Sequence, residues 1–277
     1  MALNGLGQFG VWRGSYQAFS AEDARELEQL GYGTLWIGGS PPADLPGVET
    51  LLEATESIVV GTSIVNIWTA PAKQAAEAFH RIEARFPGRF LLGVGAGHPE
   101  ANTDYRKPYD ALVEYLDELD AAGVPKQSRA LAALGPKVLK LSADRTAGAL
   151  PYLTTPEHAT VSREVVGPHA LVASEHKVVL DTDAERARAT ARPRIEFYLN
   201  LRNYRANLLR LGLSEEDLVK PGSALFYDAV LAHGDAQTIA ARLREYLTNG
   251  ADHVAIQVVE PDEGPTLRAL APLLTGS

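Results

Sequence analysis

Residues 85–100 read RFPGRFLLGVGAGHPE and contain a complete strand signal. A proline and a glycine end a helical stretch, and residues 89–94 (RFLLGV) then form an apolar run that leads into closely spaced glycines. A strand that is apolar on both faces is typical of a parallel sheet covered by helices. Helical stretches at 71–86 and 108–122 flank this strand, which predicts that it belongs to a β/α unit.

The same unit repeats on both sides of this segment. Further apolar runs, each followed by a helical stretch, lie at residues 8–12, 33–37, 58–67, 129–134, 148–152, 176–180 and 253–259. Eight β/α units in a chain of 277 residues predict an α/β fold of the (β/α)₈ TIM barrel type, whose usual size is about 250 residues. A doubly wound open sheet is the alternative, but no GxGxxG turn with a following acidic residue is present.

The chain is longer than eight such units need, and the excess lies between strands seven and eight. Residues 184–250 are helical in pattern and rich in charge. We therefore expect a helical insertion within a single barrel domain that covers residues 1–277, rather than a second domain.

The composition excludes several classes of function. The chain has no cysteine, which rules out disulfides, cysteine-ligated zinc, iron–sulfur clusters and thiol catalysis. Its 26 basic and 35 acidic residues give a net charge of −9, which disfavours nucleic acid and anionic membranes as partners. No apolar stretch approaches the roughly 20 residues that span a bilayer. No secretory signal pattern and no HxH or HExxH motif is visible, so a cytoplasmic protein without a metal site is expected.

In a (β/α)₈ barrel the active site lies at the carboxyl ends of the strands. The third strand ends in GTSIVNIW (61–68), the fourth in GRFLLGVGAGHPE (88–100) and the fifth in AALGPK (132–137). Together with LGYGTLWIG (30–38) and GADHVAIQVV (250–259), these segments resemble the luciferase-like monooxygenases, in particular the branch that uses the deazaflavin coenzyme F420. The resemblance covers essentially the whole chain and rests on five motifs in the right order.

The resemblance implies an oxidoreductase that exchanges a hydride between C5 of the deazaflavin ring and an organic substrate. It also implies which residues hold the coenzyme, in three groups at the ends of strands three, four and five: Ser63, Ile64, Val65 and Asn66; Gly95, Ala96, Gly97 and His98; and Ala133, Leu134, Gly135, Pro136 and Lys137. In addition, it places a non-prolyl cis peptide bond at Ser63-Ile64, behind the middle of the ring.

Two of these groups have a physical reason to bind such a ligand. Gly93, Gly95 and Gly97 allow backbone to approach a flat ring because glycine has no Cβ, although glycines also simply end buried strands. The helix start at residues 135–137 offers N–H groups and a partial positive charge that suit a phosphate. An ordinary strand-to-helix turn has the same pattern.

His98 and Tyr152 are the candidates for proton transfer. His98 stands beside the expected ring, and an imidazole titrates near neutral pH, which favours acid–base catalysis. A hydrogen bond to the coenzyme or a structural role fits its position equally well, and Tyr152 is the reserve acid. We expect Trp12, Trp68 and Tyr152 to form an apolar wall of the substrate pocket, with Ser40 beside them, and core packing is the alternative for Trp12.

One departure and several alternatives remain. The second strand ends in Gly38-Gly39-Ser40, where the sugar-phosphate dehydrogenases of the family have an Asp-His pair, which argues against sugar-phosphate chemistry. The alternatives are an FMN-dependent monooxygenase on the same fold, a non-catalytic coenzyme-binding protein, and a glycoside hydrolase that uses Glu100 and Glu260. A deazaflavin lacks the N5 through which flavins react with oxygen, so the F420-dependent oxidoreductase and the FMN-dependent monooxygenase differ in their expected oxygen chemistry. The expected partners are a small-molecule substrate and a second copy of the chain in a homodimer.

Overall fold

The computed structural model describes residues 5–15, 18–98 and 107–276, which contain a closed parallel barrel surrounded by helices. Its strands are β1 (Phe9–Arg13), β2 (Thr34–Ile37), β3 (Val59–Thr62), β4 (Val65–Asn66), β5 (Phe90–Gly95), β6 (Arg129–Leu131), β7 (Gly148–Ala149), β8 (Leu171–Val179), β9 (Leu231–His233) and β10 (His253–Val258). Eight strand positions close the ring in the described residues, since β8 pairs with β10. Of the ten strands, β3 and β4 share one position, and β9 pairs with the end of β8 outside the ring. The predicted (β/α)₈ barrel is confirmed.

The helices begin and end close to the predicted positions. They are α1 (Ala21–Gln29), α2 (Val48–Glu53), α3 (Ala72–Arg85), α4 (Pro108–Ala121), α5 (Pro136–Arg145), α6 (Pro156–Val166), α7 (Ala184–Ile195), α8 (Arg202–Arg210), α9 (Ala224–Val230), α10 (Ala236–Thr248) and α11 (Gly264–Leu274). Ser20 caps α1, since its hydroxyl accepts the N–H of Asp23 at 3.0 Å. None of these described helices has the length and apolar composition needed to cross a bilayer.

The strand β8 is longer than the sequence pattern predicted. It begins at Leu171 rather than at His176, because the polar stretch Ser174–Lys177 is buried inside the fold instead of forming a loop. The predicted third strand, in contrast, is interrupted at Ser63-Ile64 and resumes as β4.

Residues 184–250 divide into two parts with different cores. The helical segment, residues 184–230, comprises α7, a 3₁₀ helix (Glu196–Asn200), α8 and α9, and packs around its own apolar cluster. The helix α10 instead packs against α6 and α11 and contributes Ile239, Leu243 and Tyr246 to the main core. It therefore belongs to the outer ring of the barrel, and the excess length lies in the helical segment.

Two tryptophans, paired in register on β1 and β2, fill part of the barrel interior. A Cβ on Gly38 would lie 2.1 Å from Cζ2 of Trp12, and a Cβ on Gly61 would lie 2.6 Å from Cζ3 of Trp36. Only glycine leaves room for these rings. The indole N–H of Trp36 donates to Nε2 of His253 at 2.8 Å, which closes the interior from below. The open space of the barrel is thus confined to the carboxyl ends of its strands.

Candidate active site

A cavity of about 930 Å³ lies at the carboxyl ends of the strands. One side, the barrel wall, consists of residues at or just after the carboxyl ends of the barrel strands and at the starts of α4 and α5, from Trp12 to Tyr152, together with Gln257. The other side, the helical wall, consists of residues of the helical segment: Pro193, Arg194, Phe197, Tyr198, Arg202, Asn203 and Tyr204. A concave, partly apolar site with a few convergent polar groups is the usual form of a ligand site.

Most of the residues predicted from the sequence lie together around this cavity. Those that line it are Trp12, Ser40, Ser63, Ile64, Asn66, Ala96, Gly97, His98, Ala133, Leu134, Gly135 and Tyr152. Trp12 is also buried in the interior cluster, so both interpretations of this residue hold. The expectation that the site lies at the carboxyl ends of the strands thus predicted a common location for residues that are far apart in the sequence.

Five predicted site residues do not line the cavity in the described part of the chain. Val65 points into the main core, and Gly95 packs behind Ile64, where a Cβ would lie 3.0 Å from Cγ1 of Ile64. Trp68 supports the wall from outside, since its indole N–H donates to the carbonyl of Ala96 at 2.5 Å. Pro136 and Lys137 are exposed on the first turn of α5.

The middle of the barrel wall is the bulge between β3 and β4. The peptide bond Ser63-Ile64 is cis, as the resemblance implied. The hydroxyl of Thr62 donates to the carbonyl of Gly93 and accepts the N–H of the same residue, both at 2.8 Å. The bulge is therefore fixed to β5, and it offers backbone and the Ile64 side chain to a ligand.

One corner of the cavity is suited to an anion. The helix α5 begins at the cavity edge with Gly135 as N-cap and without a side-chain cap, so its terminus carries a partial positive charge. A Cβ on Gly135 would meet only the guanidinium of Arg210, at 3.8 Å. The preceding carbonyl, of Leu134, is held at 3.0 Å by Nε2 of His158, whose pKa is lowered by burial. The neutral ring donates this hydrogen bond.

The opposite part of the cavity is aromatic. The hydroxyl of Tyr152 lies 2.9 Å from the hydroxyl of Tyr198 and 3.1 Å from Oε1 of Gln257. The ring of Tyr152 is 5.4 Å from that of Trp12, and the ring of His98 is 5.4 Å from that of Tyr204. The two walls therefore meet through aromatic contacts and one hydroxyl pair.

The tyrosines of this cluster keep their protons at neutral pH. Burial raises the pKa of Tyr152 and of Tyr204 well above the ordinary value, with smaller contributions from neighbouring Tyr198 and Glu175. Burial raises the pKa of Tyr198 to about 12. These hydroxyls are consequently neutral hydrogen-bond donors, and a proton can be given up only to a strongly basic oxygen.

A buried ion pair lies beneath the cluster. The ammonium of Lys177 is 2.9 Å from Oε1 of Glu175, and both side chains, on β8, are almost fully buried. The same ammonium lies 4.0 Å from the centre of the Tyr152 ring. Burial lowers the pKa of Lys177, and the adjacent carboxylate opposes this shift.

Sequence reasoning missed the helical wall, the ion pair and Gln257. Gln257 and Lys177 had a usable signal, since each is a polar residue in an apolar strand on the side that faces the interior. The tyrosines of the helical wall had none, because no strand-end rule applies to an insertion.

The acidic residues at the strand ends have structural roles. Asp181 pairs with Arg186, and Glu260 accepts the N–H of Leu180 at 3.0 Å and the hydroxyl of Thr266 at 2.8 Å. Glu100 lies outside the described residues. Among the described residues, no group of three or more His, Asp or Glu side chains is placed to hold a metal ion.

Comparison with known proteins identifies the fold. Residues 6–123 match the family model described as luciferase-like monooxygenase. None of the curated proteins compared with the chain matches it in sequence. The resemblance read from the strand-end motifs is thus confirmed by the match over the first part of the chain.

Solved structures extend the likeness over the whole chain. An F420-dependent secondary alcohol dehydrogenase in complex with an F420–acetone adduct aligns at a TM-score of 0.75 and 13% identity, covering 96% of this chain and 98% of that one. The coenzyme F420-dependent tetrahydromethanopterin reductase from Methanopyrus kandleri aligns at 0.69 and 15%, covering 97% and 98%. The oxygenating constituent of 3,6-diketocamphane monooxygenase from Pseudomonas putida, in complex with FMN, aligns at 0.66 and 15%, covering 97% of each chain. These likenesses show the fold, and they include both coenzymes.

Proposed function

We propose that this protein is an oxidoreductase that binds coenzyme F420 in the mouth of its barrel and transfers a hydride between C5 of the deazaflavin ring and an organic substrate. The coarser statement, a luciferase-like oxidoreductase, is supported by the family match over residues 6–123 and by the fold of the whole chain. The finer statement, that the coenzyme is F420, is argued from the residues that line the cavity.

The observation that carries the proposal is that separate parts of the cavity suit the phosphate and the ring of such a coenzyme. The start of α5 and the guanidinium of Arg210 suit the phosphate. The bulge at Ser63-Ile64 and the small residues after β5 suit a flat ring. The indole N–H of Trp12 is buried without a hydrogen-bond partner among the described residues, so a ligand atom is needed to satisfy it.

When bound, the coenzyme supplies the hydride donor or acceptor, and the chain supplies binding, orientation and exclusion of water. The barrel wall fixes the ring, and the helical wall covers the substrate from the other side. Tyr152 and His98 are the groups in the cavity that hold a proton close to the substrate.

F420 is proposed rather than FMN because it carries further carboxylates beyond its phosphate. The edge of the cavity is lined by Arg194 and Arg202, and Arg210 lies beside α5, although the chain as a whole has a net charge of −9. Such a local concentration of cations favours a polyanionic ligand. An FMN-dependent monooxygenase is the second candidate, since the phosphate corner and the bulge suit FMN equally well.

The test is a parallel titration of the purified protein with F420 and with FMN, followed by intrinsic tryptophan fluorescence. Trp12 lines the cavity, so its emission is expected to be quenched, and Trp12→Phe is expected to remove most of the signal. We expect F420 to bind at least 10-fold more tightly than FMN. Tight binding of FMN with no binding of F420 would overturn the choice of coenzyme, and binding of neither would overturn the proposal.

A second comparison tests the phosphate corner. Arg210→Gln is expected to weaken FMN binding about 5-fold, in line with the loss of one exposed charge-assisted contact, and to leave riboflavin, which lacks the phosphate, unaffected. Equal losses for the two ligands would place the phosphate elsewhere.

The non-catalytic alternative is tested by turnover, since a storage protein would bind F420 and reduce nothing. The homodimer and the cytoplasmic location are further proposals. Light scattering on the purified protein tests the first, and fractionation of the source cells tests the second.

A further inference from the structure

The ion pair of Glu175 and Lys177 needs an explanation. Their side chains are 3% and 1% exposed, so both charges are removed from water inside the barrel. Such a pair costs desolvation free energy that its own attraction repays only in part, and replacement by uncharged residues often leaves stability unchanged. Stability is therefore a weak reason for its presence.

The contacts of the pair converge on Tyr152 and its neighbours, and the ammonium also lies 5.5 Å from the centre of the Tyr198 ring. The ammonium of Lys177 lies 4.0 Å from the centre of the Tyr152 ring, within the range of a cation–π contact. The other carboxylate oxygen of Glu175 accepts the N–H of Leu153 at 3.1 Å. Leu153 has a φ of +52°, a left-handed conformation that is unfavourable for leucine and persists only where neighbours enforce it. One partner thus fixes the ring of Tyr152, and the other fixes the backbone that follows it.

The hydroxyl of Tyr152 has a defined direction as a result. It donates to Oε1 of Gln257 at 3.1 Å, and the hydroxyl of Tyr198, at 2.9 Å, can then donate to it. Tyr152 and Gln257 both line the cavity. A substrate oxygen that takes the place of Oε1 receives the same proton.

We propose that the buried pair Glu175–Lys177 positions Tyr152, and that Tyr152 rather than His98 exchanges the proton with the substrate. This inference rests on the proposed oxidoreductase function. When a carbonyl substrate is reduced, its carbon takes the hydride of the reduced deazaflavin, the π electron pair moves to oxygen, and that oxygen takes the proton of Tyr152. Tyr198 returns a proton to the phenolate and regains one from solvent, and alcohol oxidation runs each transfer in reverse.

The charge of Lys177 gives the pair a second effect, which is to stabilise the negative charge on Tyr152 after its proton has left. As the proton leaves Tyr152, negative charge develops on a ring whose face already contacts an ammonium. The high pKa that burial gives Tyr152 keeps it protonated until a basic oxygen arrives.

The test is a set of variants that separates positioning from folding. Glu175→Gln with Lys177→Met removes both charges, keeps an acceptor for the N–H of Leu153, and is expected to leave the melting temperature within a few degrees and F420 affinity within 3-fold. The probe substrate is the compound reduced fastest by reduced F420 in a panel of carbonyl compounds from acetone to benzaldehyde. We expect kcat to fall at least 30-fold, as in Tyr152→Phe, with little change in KM.

A double-mutant cycle distinguishes positioning of Tyr152 from a purely structural role, because it measures whether the two effects on kcat are additive. Tyr152→Phe in the uncharged background is expected to lower kcat by less than a further 3-fold, because both changes remove one function. Full additivity of the two effects would overturn the positioning role. A larger loss of kcat in His98→Ala than in Tyr152→Phe would overturn the choice of proton donor.

A measurement without coenzyme keeps the inference separate from the proposed function. In protein labelled with 3-fluorotyrosine, the ¹⁹F signal of Tyr152 is identified by its loss in Tyr152→Phe, and we expect the uncharged double variant to shift and broaden it. An unchanged signal would overturn positioning even in an active enzyme. If F420 binds but no carbonyl compound is reduced, the proton-exchange role fails; if F420 does not bind, the proposed function fails, and a shifted signal still supports positioning.

Discussion

The two walls of the cavity are built from different kinds of residue. The barrel wall presents a group of small residues that the helical wall lacks, among them Ser63, Ala96 and Ala133, beside larger side chains such as Trp12 and Tyr152. The helical wall presents large side chains, among them Phe197 and Tyr204. Backbone held by strand register suits a ligand whose shape never varies, whereas long side chains are easily exchanged to suit different ones. We infer that the barrel wall serves the coenzyme ring and that the aromatic side chains of the helical wall serve the substrate, whereas the arginines of the helical segment serve the anionic groups of the coenzyme.

The walls also rest on separate cores. The barrel wall is continuous with the main core between the strands and the outer helices, and the helical wall rests on a second cluster that includes Leu199, Leu208 and Phe226. A substitution in one wall is therefore expected to leave the other in place. This independence makes the division of roles testable by measuring coenzyme affinity and substrate KM separately.

The largest expected effect is that of Gly97→Val in the barrel wall. Gly97 has a φ of +58° and lines the cavity, so valine adds about 1–2 kcal/mol of backbone strain and a branched side chain where the ring must lie. We expect F420 affinity to fall more than 100-fold in a folded protein, measured by tryptophan fluorescence and circular dichroism. Gly47→Val is the matched control, because Gly47 is left-handed with a φ of +84°, nothing lies within 4 Å of an added Cβ, and the residue does not line the cavity. Unchanged affinity in folded Gly97→Val would mean that the glycine only ends a strand.

The second prediction concerns the loss of folding stability at acidic pH. The buried histidines of the described residues, His158, His176 and His253, all lie in the barrel, and burial lowers the pKa of each. The pKa of His253 is lowered from 6.5 to about 4. Below pH 6.5 the unfolded chain gains a proton on His253 while the folded chain does not, so its contribution to stability is complete above pH 6.5 and declines down to about pH 4.

Urea unfolding measures this effect. Between pH 7 and pH 5, His253 is expected to lower the free energy of unfolding by about 2 kcal/mol, and His253→Asn is expected to reduce that dependence. His169→Asn, at an exposed position, is the control and should leave the slope unchanged. The prediction would be contradicted if the free energy of unfolding depended on pH equally in the wild type, His253→Asn and His169→Asn.

The site residues at the strand ends were predictable, because in a (β/α)₈ barrel the carboxyl ends of all strands meet at one face of the fold. Trp12, Gly97 and Gly135 lie far apart in the chain but line one cavity, since each follows a barrel strand. Glu175 was missed because the predicted strand began at His176, whereas β8 begins at Leu171. Tyr198 and Tyr204 were missed because their placement depends on how α7, the 3₁₀ helix and α8 pack together, and a local pattern does not specify that packing.

His98 lies where the two walls meet, so it tests the boundary between them. It follows β5, and its ring is 5.4 Å from that of Tyr204. We expect His98→Ala to weaken F420 binding about 10-fold, as for the loss of one good hydrogen bond, and to lower turnover less than 3-fold. Wild-type binding and turnover would remove His98 from the site. A loss of turnover at wild-type affinity would make it the proton donor in place of Tyr152.

The smallest expected effect, and the sharpest test of the division, is that of Phe197→Ala in the helical wall. The side chain is 57% exposed at the cavity edge, so a bound substrate covers part of the ring and gains about 1 kcal/mol from that contact. The KM of the panel substrate should rise about 5-fold, with F420 affinity within 2-fold of wild type. Leu225→Ala is the control, because Leu225 is 61% exposed on the same helical segment but does not line the cavity. If Phe197→Ala weakens F420 binding and leaves KM unchanged, the aromatic side chains of the helical wall contact the coenzyme, and the substrate must lie against the barrel.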